Sequence, residues 1–335
     1  MHDTKTLNNI IELIKSSKRS LVLSHQNPDG DTLGSMLALG ALLKKSGHVV
    51  DHVISDPVPE IYKFLPYTDL VKSPDDKDLL RNHDLAFSLD CGSIKRLGKA
   101  KALFLQAKSS VNIDHHISNE NFAKINWIEG EATSTGQLVY WLAVELKAKI
   151  TKEIATLLYT TLLTDTNCFS NSNTNAEALL WGAELIKHGA EHEGVYRKVF
   201  LERPLKAIKV FGRALNNLNL IENGQIVWTC VDNEVMKNLS ATGEDTEDIA
   251  DYMMRTKGTK VGVFFREDMN ETKVSLRSVT DFDVSKIAVS MGGGGHKRAA
   301  GINVKSPLLE VRDSVLKKVI DEFRNYSGKN GKSGK

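Results

Sequence analysis

Cysteine is scarce in this sequence. The 335 residues contain three, Cys91, Cys168 and Cys230, and no two of them form a CxxC. That excludes a disulfide framework, makes cysteine-based structural zinc untenable and suits a reducing compartment. An excess of either charge is also missing: 44 Lys and Arg against 42 Asp and Glu leave a formal net charge of +2. Such a chain does not coat long duplex DNA by bulk charge, although a local basic pocket remains open to it. Long hydrophobic runs are absent as well. The longest, Met36 to Leu43, is too short to span a bilayer. The N-terminal MHDTKTLNNIIELIKSSKRS lacks the apolar core and cleavage pattern of a signal peptide. What is present, 41% apolar and 26% charged residues, describes a cytoplasmic globular protein with no membrane partner, long enough for two domains.

The first half alternates short apolar runs with helical patterns. Leu21–Ser24, Val49–Ile54, Leu85–Leu89 and Val111–Ile113 read as buried parallel strands. Between the first two lies DTLGSMLALGALLKKSG, with apolar positions 33, 36, 37, 39, 42 and 43 and a Gly47 stop, which predicts an amphipathic helix. Helical patterns return at Ser134–Lys147, Thr151–Thr164, Asn175–His188 and Glu193–Phe200. The alternation predicts an α/β domain, an open parallel sheet flanked by helices, over residues 1–190. A helical linker is expected over 191–217 and a smaller α+β domain over 218–326. Within the latter, Leu218–Glu222 and Gln225–Val231 flank an Asn-Gly turn, and Lys260–Arg266 and Thr272–Ser278 form a second strand pair. The Gly/Lys/Ser-rich residues 327–335 are expected to be a disordered tail.

Ligands of open parallel sheets bind beyond the carboxyl ends of the strands. The first strand runs into SHQNPDGD, which carries His25, Asp29 and Asp31. Alone this could be an acidic turn with Asp31 capping the following helix. Leu85–Leu89, however, ends in Asp90, Val111–Ile113 ends in Asp114-His115-His116, and the helical run through Leu163 ends in Asp165. Carboxylates and imidazoles gathered on one rim suit a hard or borderline divalent ion such as Mn²⁺ or Mg²⁺. The set exceeds what one ion needs. Two ions about 3.5–4 Å apart, sharing a carboxylate and holding a hydroxide, would stabilise in-line attack at phosphorus. The second domain supplies MGGGGHKRAAG at 291–301, in which Gly294 and Gly295 let the backbone approach an anion while His296, Lys297 and Arg298 add donors. Arg277 is a further cationic candidate. Together these features place a substrate phosphate in an interdomain cleft.

HxxxDxD at 25–31, DCGSxxRLG at 90–98, DHH at 114–116, EATST at 131–135, TDT at 164–166 and GGGGHxxAAG at 292–301 occur in this order. In that order they resemble the DHH-family phosphoesterases, which include the RecJ nucleases. Closest is the compact two-domain nanoRNase/pAp phosphatase type with its DHH-associated C-terminal domain. The resemblance implies one manganese held by His25, Asp29 and Asp90 and a second by Asp31, Asp90, His115 and Asp165, with Mg²⁺ or Co²⁺ as substitutes. It makes Asp90 the bridging catalytic carboxylate and turns His116 toward the substrate phosphate; His116 or a nearby water would protonate the leaving oxygen. Asp114 would orient its neighbours. His296, Gly294, Gly295, Arg277 and Arg298 would grip the phosphate or nucleotide, and Arg96 would support the loop after Asp90 or reach the phosphate. Cys91 and Cys168 stand where small polar residues are common in the family.

The activity so implied is manganese-dependent hydrolysis of short single-stranded oligoribonucleotides, of pAp to AMP and phosphate, or of both. The family is compatible with a homodimer. Two alternatives share the metal core: a phosphodiesterase acting on cyclic dinucleotides (c-di-AMP) or linear pApA, and a pyrophosphatase or exopolyphosphatase. The GGGGH loop disfavours the second. A non-catalytic nucleotide binder would have no need of six metal ligands.

Overall fold

The computed structural model describes residues 3–80, 82–269 and 271–330. It divides into two compact units, the first ending at Glu202 and the second beginning at Arg203. The break falls inside the span expected as a helical linker.

The first unit opens with α1 (Thr4–Ser16), whose Leu7, Ile10, Ile11 and Ile14 form one buried stripe and whose N-terminus is capped by Asp3. β1 (Arg19–Ser24), α2 (Gly30–Lys45), β2 (Val49–Val53), β3 (Val71–Lys72), β4 (Leu85–Leu89), α3 (Lys101–Gln106), β5 (Ser109–Asp114) and β6 (Ile125–Ile128) follow. The six strands form one parallel sheet in the order β3-β2-β1-β4-β5-β6. Strands β1, β4 and β5 are buried on both faces, which is why they read as unbroken apolar runs. β3 and β6 escape the sequence reading because one has two residues and the other is mostly half-buried.

Helices α4 (Thr135–Glu145), α5 (Lys152–Asp165), α6 (Ala176–Lys187) and α7 (His192–Tyr196) complete the unit. α2 differs from its expected amphipathic form: Gly30 through Leu43 are all buried, because α4 and α5 cover the side that would otherwise face water. This contact depends on glycine. A Cβ at Gly34 would lie 2.6 Å from the Leu157 carbonyl oxygen, and one at Gly136 would lie 2.0 Å from Thr161 Oγ1. Only hydrogen at these positions lets α2, α4 and α5 approach so closely. α2 then ends at Ser46, with Gly47 in the left-handed region at φ 86°.

The second unit contains α8 (Leu205–Asn216), β7 (Asn219–Ile221), β8 (Ile226–Val231), α9 (Asn233–Asn238), α10 (Ile249–Met253), β9 (Val261–Asp268), β10 (Glu271–Ser278), α11 (Val284–Ser290), β11 (Gly294–His296), β12 (Ala299–Val304) and α12 (Leu308–Asn330). Its sheet, β11-β12-β10-β9-β8-β7, is antiparallel apart from the parallel β8–β9 pair. Alternation along β9 decides the layers. Val261, Val263 and Phe265 join a core with Val311, Val315, Val319 and Phe323 of α12, while Phe264 joins Val210 and Ala214 of α8 on the other face. Residues 327–330, expected to belong to a disordered tail, continue α12, and 331–335 lie outside the described residues. No helix among the described residues is long and apolar enough to cross a membrane.

Candidate metal centre

Strand order places the site. β1 and β4 are neighbours in the sheet although β2 and β3 separate them in sequence, so the connections leaving them diverge and open a crevice. The register pairs Ser24 with Leu89 and Leu89 with Ile113, which brings His25, Asp90 and Asp114 to one level of the rim. Asp90 sits at φ 54°, in the left-handed region that costs a non-glycine residue about 1–2 kcal/mol. Strain of this kind is characteristic of functional positions.

The side chains converge in overlapping groups. His25, Asp29 and Asp90 present ligand-type atoms within 4.8 Å of one another, as do Asp31, His115 and Asp165, and as do Asp90, His115 and His116. All six residues expected as metal ligands are therefore brought together. Asp29, not Asp31, is the N-cap of α2, its Oδ1 accepting from the Thr32 amide at 2.9 Å. Asp31 lies in the first turn, buried, and both its oxygens are engaged by the first amides of α4: Thr135 N donates to Oδ2 at 2.8 Å and Gly136 N to Oδ1 at 3.0 Å. Asp90 accepts from Thr32 Oγ1 at 2.8 Å and from Thr135 Oγ1 at 3.2 Å.

Hydrogen bonds fix the imidazoles. His25 Nδ1 donates to the Gln26 carbonyl at 2.6 Å, and His115 Nδ1 donates to the Ala132 carbonyl at 3.3 Å. Because a carbonyl can only accept, Nδ1 carries a proton in both rings, and Nε2 is the nitrogen turned toward the carboxylates. His115 Nε2 lies 3.3 Å from Asp165 Oδ2 and 3.8 Å from both Asp31 Oδ2 and Asp90 Oδ1. Asp114, fully buried, accepts from the His115 amide at 2.8 Å, from His116 Nδ1 at 2.7 Å and from Asn119 Nδ2 at 2.5 Å. Asp114 thus contacts both histidines of the DHH run. Thr32, Thr135, Gly136 and Asn119 were not legible as site residues, although EATST contains Thr135.

Four aspartates, Asp29, Asp31, Asp90 and Asp165, in so small a volume repel. Burial, then the charges of Asp90 and Asp165, push the Asp31 carboxyl well above the usual carboxylate range. Asp165 is pushed up to about 8, first by burial and then by Asp90 and Asp29. For Asp90 burial acts in the same direction, but the hydrogen bond from His25 and the charges of His115 and His116 outweigh it and hold the group below its ordinary value. His116 is raised to about 9, chiefly by its hydrogen bond to Asp114. A protein retains such a cluster where a cation compensates it. Oxygen and imidazole donors with no sulfur in the groups fit a hard or borderline divalent ion.

The remaining candidates lie elsewhere. Arg96 is exposed in a 3-10 turn over Ile94–Ala100, and its carbonyl accepts from the Gln26 amide at 2.8 Å, tying the loop after Asp90 to the loop after β1. In the second unit, Gly294, Gly295 and His296 form β11, antiparallel to β12. The glycines there serve backbone packing: a Cβ at Gly293 would lie 2.1 Å from the Gly301 oxygen and one at Gly295 2.5 Å from Ala300 Cα. His296, Lys297 and Arg298 are exposed at this hairpin. Arg277 is not a free cation, since its Nε and Nη2 donate to Asp251 at 2.6 and 3.0 Å.

Residues 19–162 match the DHH family, N-terminal domain, and residues 224–325 match the DHHA1 domain. A protein of Thermus thermophilus named bifunctional oligoribonuclease and PAP phosphatase NrnA is 30% identical over 317 residues, covering 94% of this chain and 93% of its own. Among solved structures, an exopolyphosphatase-related protein from Bacteroides fragilis superposes with a TM-score of 0.89 at 24% identity, covering 97% of this chain and 98% of its own. RecJ from Thermus thermophilus in complex with Mn²⁺ gives a TM-score of 0.50 at 13% identity, over 97% of this chain and 54% of that one.

Proposed function

The chain belongs to the DHH family, and from that premise we propose that it is a phosphoesterase, dependent on divalent metal, that hydrolyses short oligoribonucleotides and 3′,5′-bisphosphonucleotides such as pAp. The observation that carries this reading is that two three-residue ligand groups, His25–Asp29–Asp90 and Asp31–His115–Asp165, meet at one crevice with Asp90 within reach of both. His25, Asp29 and Asp90 would hold one ion, and Asp31, His115 and Asp165, together with Asp90, would hold the other. The manganese in the RecJ structure supports Mn²⁺ as the ion. When bound, two such ions lower the pKa of water and neutralise charge on the phosphoryl oxygens during in-line displacement.

The chain's own residues do the rest. Asp114 holds His116 through Nδ1, which leaves Nε2 as the atom offered to a phosphate or to a leaving oxygen. His116 is about two-fifths exposed, as a group meeting substrate must be. His296, Gly294, Gly295, Arg298 and Arg277 are assigned to substrate binding. For Arg277 this requires exchange of its Asp251 partner for a phosphate. Assays of end-labelled short RNA, pAp and a cyclic dinucleotide, run in parallel with Mn²⁺, test the reading. Turnover of the first two is expected, and Asp90→Ala should abolish it at any manganese concentration. Full activity of that variant would overturn the two-metal assignment, and exclusive turnover of the cyclic dinucleotide would overturn the substrate class.

A further inference from the structure

One short stretch of chain, Ala132–Gly136, connects to every member of the Asp31–His115–Asp165 group. The Ala132 carbonyl accepts from His115 Nδ1, and the amides of Thr135 and Gly136 donate to the two oxygens of Asp31. The link to Asp165 runs through Asn173, whose Nδ2 donates to the Thr133 carbonyl at 3.1 Å and to the Asp165 carbonyl at 3.2 Å. An amide nitrogen has two hydrogens, and here each has a carbonyl to meet. The Asp165 carbonyl lies at the end of α5, where a helix leaves its last carbonyls without intrahelical partners. Asn171 Nδ2 donates to the same oxygen at 3.0 Å.

Reaching that oxygen requires the chain to double back. It does so through three consecutive residues in the left-handed region, Asn167, Cys168 and Phe169, at φ 46°, 53° and 64°. Left-handed backbone is costly for such residues, so the turn persists because bonds on its far side hold it. The His25–Asp29–Asp90 group hangs on different supports: the Gln26 carbonyl for His25, the Thr32 amide for Asp29, and the Ile113 carbonyl for the Asp90 amide. Among the described residues, the hydrogen bond from Ala132–Gly136 to this group is Thr135 Oγ1 to Asp90 Oδ1 at 3.2 Å, and His115 Nε2 lies 3.8 Å from the same oxygen.

We propose that Ala132–Gly136 and Asn173 form a positioning frame for one of the two metal sites only, with Asn173 setting the place of Asp165 relative to Asp31 and His115. Asn173 is a positioning residue and touches neither ion nor substrate. The proposal rests on the two-ion reading of the preceding subsection. It predicts an asymmetry that a general structural role would not produce.

Manganese titration of the full-length protein, followed by the electron paramagnetic resonance signal of free Mn²⁺, reads both sites. The wild-type protein should bind two ions. In Asn173→Ala, one site should weaken by ~10-fold or more while the other stays within about twofold, as expected for loss of a partner that orients a ligand. Thermal unfolding without metal should be nearly unchanged. Asn173→Ser serves if the alanine variant does not fold. Asp29→Ala identifies the site: it should retain only the Asp31–His115–Asp165 site, and adding Asn173→Ala should weaken that remaining site. Fewer than two ions in the wild type overturns the two-ion reading and the frame with it. Two ions in the wild type with equal weakening at both sites, or with none, overturns the frame and leaves that reading standing.

Discussion

Replacing Asp165 by asparagine should stabilise the metal-free protein while removing much of what manganese adds. Burial and the charges of Asp90 and Asp29 raise its carboxyl from 3.8 to about 8, with the side chain about a quarter exposed. A folded-state pKa above the unfolded value means that folding takes up a proton between these limits. Stability therefore falls as pH rises from 3.8 toward 8. The part of this shift that lies below pH 7 corresponds to about 4 kcal/mol at ~1.4 kcal/mol per pH unit. Solvent screening of a side chain about a quarter exposed, and the field shared with Asp31, reduce this to about 2 kcal/mol. A gain of about 2 kcal/mol is worth roughly 4–8 °C in a unit of this size. Asparagine also gives up the contact with His115 Nε2, which a neutral amide replaces only weakly. Each ion bound at 100 times its Kd adds about 2.7 kcal/mol to the wild type. Asp165→Asn should lose one such increment. Thermal unfolding at pH 7 in EDTA and in MnCl2 measures both effects. A lower melting temperature in EDTA, or an undiminished manganese shift, would refute the electrostatic reasoning.

His116→Gln should lower kcat by about 10²–10⁴-fold with two manganese ions still bound, checked by steady-state kinetics beside metal titration. Away from the site, His52 is buried with neither ring nitrogen hydrogen-bonded, and burial, then Lys44, lower its pKa from 6.5 to about 4. The unfolded chain therefore binds the proton first. Stability from the neutral ring is complete above pH 6.5 and is lost as pH falls toward 4, up to about 3 kcal/mol. His52→Leu should remove that part of the acid sensitivity, and denaturant melts at pH 7 and pH 4.5 would register it.

Much of the site is legible because the topology does the assembling. A parallel sheet delivers whatever follows each strand to one rim, so His25, Asp90 and the Asp114–His116 run could be associated from their positions after apolar runs alone. Asp165 is legible for a related reason: it ends a helix that packs on α2, whose own N-terminus carries Asp29 and Asp31. Main-chain contacts across long separations were beyond reach. Nothing in the order of residues indicates that the amides of Thr135 and Gly136 hold a carboxylate 104 and 105 positions earlier. The same holds for the carbonyls joined by Asn173, since any residue type offers a carbonyl. α1 is a different case. Its apolar residues at 7, 10, 11 and 14 carry a helical period that was available to be read. The glycine-rich segment shows how composition underdetermines conformation: four glycines suggest a free loop, yet Gly294 and Gly295 pair with β12 as a strand, and at Gly293 and Gly295 the neighbouring backbone passes too close for a side chain.

The proposal that two divalent ions share Asp90 at the β1–β4 crevice is tested directly by crystals grown with MnCl2, with diffraction collected at the manganese absorption edge. Two anomalous peaks are expected, one ligated by His25, Asp29 and Asp90 and the other by Asp31, Asp90, His115 and Asp165. A single peak, or two peaks that do not share Asp90, would contradict it.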